Sequence, residues 1–213
     1  MFGIIYGNLF SAIEAFLKCL LFILPFVMIL LFYARRCNLK IPKAHIFGDL
    51  IFVYLIIFML EFTTFSSLAR ILYIGFEIHP ETFNFIPFNS LTTDVFPYVT
   101  NIVLFSPFGL LCSILWENQR TLKKVAFTGF IFSLTIEISQ IFNMRITDVD
   151  DLLMNTIGAG LGYLIFRAMQ KFAIIKNGFA WVRNSKMPFV LKHEVWFLIY
   201  IVFAFEVFVL SYL

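Results

Sequence analysis

Two runs of almost wholly apolar residues enclose residues 136–162, which read IEISQIFNMRITDVDDLLMNTIGAGLG. That stretch packs Glu137, Gln140, Arg145, Asp148, Asp150, Asp151 and Asn155 into one short interval. It constrains the fold more than any other feature, because its flanks are apolar enough to cross a membrane. Hydrocarbon cannot hydrogen-bond these side chains, so they must face protein or water. Ionisable groups at such a depth are costly enough to mark a functional site by default. Composition points the same way: 61% of residues are hydrophobic and 14% charged, against about half and about a quarter in a soluble domain. The expected class is all-α, a polytopic integral membrane helical bundle.

At about 20 residues per span, the apolar runs predict about six transmembrane helices. They cover residues 19–34 with a backward extension, 50–69, 98–116, 125–142, 149–166, and 195 to the C-terminus. Three regions follow: residues 1–83 with two spans, a core over 84–166, and a basic segment plus the final span over 167–213. The 16 Lys and Arg residues sort by side. Arg35, Arg36, Lys40 and Lys43 follow the first span; Arg120, Lys123 and Lys124 follow the third. Arg167, Lys171, Lys176, Arg183, Lys186 and Lys192 follow the fifth. Only Lys18, Arg70 and Arg145 fall on the opposite side. The positive-inside bias then puts both termini outside the cytoplasm. Cys19, Cys37 and Cys112 show neither CxxC nor His-rich spacing, so no disulfide framework or structural zinc site is expected.

This topology gathers polar residues near the outer leaflet. Glu61 lies in the outer half of span two, Asn101 and Ser106 in that of span three, and Glu137 and Gln140 at the outer end of span four. Asp148, Asp151 and Asn155 open span five, with Arg70 and Arg145 at the rim. The loop Asn84-Phe85-Ile86-Pro87-Phe88 lies outside as well. Residues three and four apart share a helical face. Arg145, Asp148, Asp151 and Asn155 therefore form one expected stripe, continued by Gly158 and Gly162 as a small-xxx-small packing pattern. Asp150 falls off this stripe, and Glu206 and Cys112 are read as structural. Each polar residue alone is explained by interhelical clamping, at about 0.6–2 kcal/mol. The cluster is harder to explain that way, because its carboxylates outnumber its arginines. The surplus must be protonated, hydrated or bound to a cation, and a hydrated acidic cavity is the favoured reading.

At these residues the sequence resembles the VanZ-like family of bacterial membrane proteins. The matching features are Asn84-Phe85-Ile86-Pro87-Phe88, and Asn101 leading to Leu104-Phe105-Ser106-Pro107-Phe108-Gly109. Further on come Glu137-xx-Gln140 and Arg145-xx-Asp148-xx-Asp151-xxx-Asn155-xx-Gly158. They span residues 84–166. The resemblance implies a bacterial cell-membrane protein with a role in low-level resistance to teicoplanin, a lipoglycopeptide, or in the handling of envelope lipid. The implied partners are membrane lipid, a lipid-linked wall precursor or a lipoglycopeptide. The acidic surplus would select amines, and Arg70 and Arg145 would hold phosphate. No cofactor is expected. Two alternatives stay open: an intramembrane enzyme acting on a lipid-linked or peptide substrate, and a small flippase or transporter. Against the enzyme, the chain carries no HExxH, no GxSxG and no histidine near the cluster. The basic residues are juxtamembrane, which leaves no nucleic-acid surface.

Overall fold

The computed structural model describes residues 2–63, 83–84, 86–88, 94–141, 147–170 and 189–208. They form seven helices: α1 (Phe2–Arg36), α2 (Lys43–Phe62), α3 (Phe96–Leu115), α4 (Leu122–Ile141), α5 (Val149–Met169), α6 (Phe189–Lys192) and α7 (Glu194–Phe208). Five of these, α1 to α5, are long and apolar enough to cross a membrane. Helix α7 has 15 described residues, all apolar but Glu194 and Glu206. The chain is a multi-pass, all-α membrane protein. Among the described residues the one extended feature is a two-residue parallel pairing of β1 (Phe83–Asn84) with β2 (Thr147–Asp148).

Helix α1 shows how such a chain buries one stripe and gives the rest to lipid. Ala12, Ala15, Cys19, Ile23, Phe26, Leu30 and Ala34 are buried, at intervals of three and four. Phe10, Leu21 and Met28 on other faces are exposed, an apolar surface suited to hydrocarbon. Helix α2 begins at Lys43 behind Pro42, which caps it in an extended conformation. The second span was expected from residue 50. Its start is earlier because His45 and Asp49, polar enough to read as loop, are buried inside the bundle.

The central packing is between α3 and α5. A Cβ on Gly109 would overlap the Ala159 carbonyl, one on Gly158 the Ile102 carbonyl, and one on Gly162 the Ser106 carbonyl. These contacts leave room only for backbone, so the two helices run side by side at close approach. Asn101 near the start of α3 meets Asp151 near the start of α5, so the pair is parallel. Around them Phe52, Phe105, Phe108 and Phe132 form an aromatic core, with Phe108 stacked on Phe132 at 5.2 Å between centroids.

Connections at the ends fix how the helices alternate. The start of α2, the end of α3 and the start of α7 meet through His45, Trp116 and Glu194. At the opposite end, the side-chain amide of Gln140 on α4 donates to the Thr63 carbonyl just past α2 (3.3 Å). The starts of α3 and α5 lie at that second end. Arg35, Arg36, Lys43, Arg120, Lys123, Lys124, Arg167 and Lys192 belong to helix ends and turns at the first.

Candidate functional site

Helix α5 opens with Val-Asp-Asp behind Asp148, and that order of residues builds the polar end. Asp148 is extended (φ −116, ψ 128) and caps the helix, its carboxylate accepting from the Asp150 amide at 2.9 Å. Aspartate is among the best capping residues, and further acids in the first turn suit the positive end of the helix dipole. The expected helical stripe through Arg145, Asp148 and Asp151 is therefore corrected at Asp148. That residue precedes the helix, and its place comes from capping and from strand pairing rather than from helical period. Arg145 and Arg70 lie outside the described residues.

The extended pairing brings Asn84 opposite Asp148. The Asn84 amide donates to the second Asp148 oxygen at 2.9 Å. On the other flank the Asp148 backbone N–H donates to Glu137 of α4 at 3.2 Å. Glu137 is buried at 4% exposure, so a carboxylate at the end of α4 is tied directly to the cap of α5. From α3, the Asn101 amide donates to Asp151 at 2.6 Å. Four elements thus converge on one polar surface at the mouths of α3, α4 and α5.

Asp150 is the residue the sequence underestimates. It falls off the helical stripe, yet it is 3% exposed. Both of its oxygens accept from the Phe88 backbone N–H, at 2.8 and 2.9 Å, and one also accepts from the Tyr98 hydroxyl at 2.6 Å. Phe88 has φ 62, a left-handed conformation that costs a non-glycine residue about 1–2 kcal/mol. Hydrogen bonds to a charged acceptor contribute about 1.5–3 kcal/mol each, enough to hold the turn in that shape. Asp150 is thereby the latch that keeps the turn of Ile86, Pro87 and Phe88 over the helix mouths, with all three exposed. The available signal was the pair Asp150-Asp151 at a helix start together with the proline turn; neither alone reveals the contact.

Deeper in, Asn155 is 3% exposed and its amide donates to Ser133 of α4 at 2.9 Å. Gln140 is also buried. Three buried acceptors in this region have no hydrogen-bond partner: Gln140 Oε1, Thr147 Oγ1 and Asn155 Oδ1. Ser106 bonds only within its own helix among the bonds it donates, to the Ile102 carbonyl at 2.7 Å. Glu61 is half-buried near the end of α2, where the neighbouring carboxyl groups are Glu14 of α1 and Glu206 of α7. Gly158 and Gly162 lie on the face of α5 turned to α3.

Residues 50–170 match the model of the family described as VanZ/LLP1. The match takes in most of α2 as well as the region carrying the polar end. Protein VanZ of Enterococcus faecium is 32% identical over 120 residues, which cover 56% of this chain and 68% of that protein. No solved structure matches the chain.

Proposed function

The chain belongs to the VanZ/LLP1 family, and on that premise we propose that it acts in resistance of the teicoplanin type, engaging an amphiphile at the polar end of α3, α4 and α5. The basic residues at the opposite end support an orientation in which this surface opens to the outer leaflet. The observation that carries the reading is the set of buried acceptors without donors, Gln140 Oε1, Thr147 Oγ1 and Asn155 Oδ1. A buried polar atom left unpaired costs about 1–3 kcal/mol. A ligand that brings N–H or O–H groups recovers that cost.

Amines, amino sugars and sugar hydroxyls answer to this description, and lipoglycopeptides and lipid-linked wall precursors carry such groups beside a lipid tail. The carboxylates Glu137, Asp148, Asp150 and Asp151 keep the mouth acidic and favour a cationic amine. By residue type, Arg70 and Arg145 are the candidates to hold a phosphate. The exposed turn of Ile86, Pro87 and Phe88 offers an apolar edge to the tail. Engaging the drug, or changing what the outer leaflet displays, lowers the drug's access to its target.

The test is teicoplanin susceptibility of a sensitive bacterium expressing the wild type, Asp148→Asn or Arg145→Ala, with membrane levels measured in parallel. Wild-type protein raises the inhibitory concentration, and each variant returns it to the vector value at equal protein level. Full protection by both variants would overturn the proposal.

A further inference from the structure

At the end of the bundle away from the polar mouth, three ionisable side chains are shut in together. His45 and Asp49 sit one turn apart on α2, and Glu194 is the first residue of α7. Their exposures are 0%, 2% and 1%. His45 Nε2 lies 3.1 Å from Glu194 Oε2 and 3.5 Å from Asp49 Oδ1. The candidate donor atoms of all three lie within 4.8 Å of one another. Glu194 Oε2 also accepts from the Trp116 indole N–H at 3.1 Å, and the Trp116 ring packs edge-on against Phe52. The surroundings are apolar and aromatic.

Two carboxylates beside one imidazole leave net negative charge whenever both acids are ionised, even against an imidazolium. Burying such charge without a counter-charge is strongly unfavourable. Two of the carboxylate oxygens, Asp49 Oδ1 and Glu194 Oε1, are buried without a hydrogen-bond partner. Asp49 Oδ1 is within 3.5 Å of the imidazole, so it is aimed into the cluster. The spacing suits a tetrahedral ion: ligands held at about 2.0–2.2 Å put neighbouring donor atoms about 3.3–3.6 Å apart.

We propose that His45, Asp49 and Glu194 bind a divalent first-row transition cation, of which Zn2+ is the test case. One imidazole and two carboxylates neutralise its charge and fill three positions, and a water takes the fourth. The ion clips the start of α7 to the start of α2, two segments 149 residues apart in sequence. Trp116 orients Glu194 from behind, the kind of support that ligating carboxylates commonly have. His45, Asp49 and Glu194 all lie outside residues 50–170, the part matched to the family. The site also sits at the opposite end of the bundle from the polar mouth, so its failure would leave the proposed function untouched.

The experiment is Zn2+ titration of the full chain, purified in detergent and stripped with chelator, read by metal content and by melting temperature. One Zn2+ per chain is expected, with Tm rising as free Zn2+ rises. Glu194→Gln and Asp49→Asn, close in shape to the native residues, should each weaken Zn2+ more than about tenfold, and Trp116→Phe by about tenfold. Glu206→Gln, a buried carboxylate elsewhere on α7, should leave the affinity unchanged. Absence of stoichiometric Zn2+ in the wild type, or equal binding by Glu194→Gln and Asp49→Asn, would overturn the assignment. So would a Glu194→Gln protein that gains stability in the absence of metal and a wild type that gains none in its presence, since a proton shared by the acids would then satisfy the cluster.

Discussion

At the polar mouth Asp148, Asp150 and Asp151 each meet a neutral donor, from Asn84, from Phe88 and Tyr98, and from Asn101. At the far end Asp49 and Glu194 gather around one imidazole, and each keeps an oxygen without a donor. Neutral donors stabilise a carboxylate without cancelling its charge. The mouth is thus an acidic surface held in shape by neutral donors, whereas the far cluster needs a counter-charge or a proton inside itself. The mouth is built from helix starts, a cap and a turn within the family-matched part of the chain. The far cluster lies beyond that part, at the other end of the bundle.

The strongest way to break the comparison is to remove what both ends stand on. Gly162→Leu drives a side chain into the Ser106 carbonyl and the Leu110 amide of α3. Overpacking costs about 1–3 kcal/mol where side chains can yield, and backbone yields less. The expected outcome is little monodisperse protein after extraction, with both ends lost together. A variant that melts like the wild type would show that the close α3–α5 contact does not support the mouth.

A narrower cut separates the two ends. Asp150→Ala leaves the Phe88 amide and the Tyr98 hydroxyl without their acceptor, at about 1.5–3 kcal/mol for each charged bond. Hydrogen exchange at the Phe88 amide should speed up and protection against teicoplanin should fall, while Zn2+ binding at His45 persists. Loss of Zn2+ binding in the same protein would mean that the ends are coupled. Tyr98→Phe removes one of these donors and should lower stability by about 1–2 kcal/mol, read from the melting temperature in detergent. The smallest change is expected from Phe88→Gly. Glycine takes φ 62 without strain but raises the entropy of the unfolded chain, so stability should stay within about 1 kcal/mol. A drop in protection without a drop in stability would assign the Phe88 ring to the ligand.

Much of the architecture was legible because lipid imposes a simple rule. Long apolar runs must be helices, and α3, α4 and α5 begin and end within a few residues of the apolar boundaries at 98–116, 125–142 and 149–166. Polar residues at span edges were harder. His45 and Asp49 looked like loop because burial of charge is rare, yet α2 starts at Lys43 and encloses both. Their partner Glu194 is far away in sequence, and no local pattern announces such a meeting. Within the mouth, the helical period could relate Asp151 to Asn155 but could not show that Asp148 stops being helical. Strand pairing with Asn84 decides that. The contacts of Asp150 are hidden for the same reason: its partners, Phe88 and Tyr98, are reached through a turn whose left-handed residue is not a glycine.

Labelling of Ile86→Cys with a membrane-impermeant thiol reagent on intact cells, with Cys37 replaced by serine, addresses the central claim most directly. Ile86 is 65% exposed on the turn over the mouth. The account predicts labelling from outside the cell, slowed about tenfold by teicoplanin at about ten times its Kd. Labelling only after the membrane is permeabilised, or at a rate the drug does not change, would contradict it.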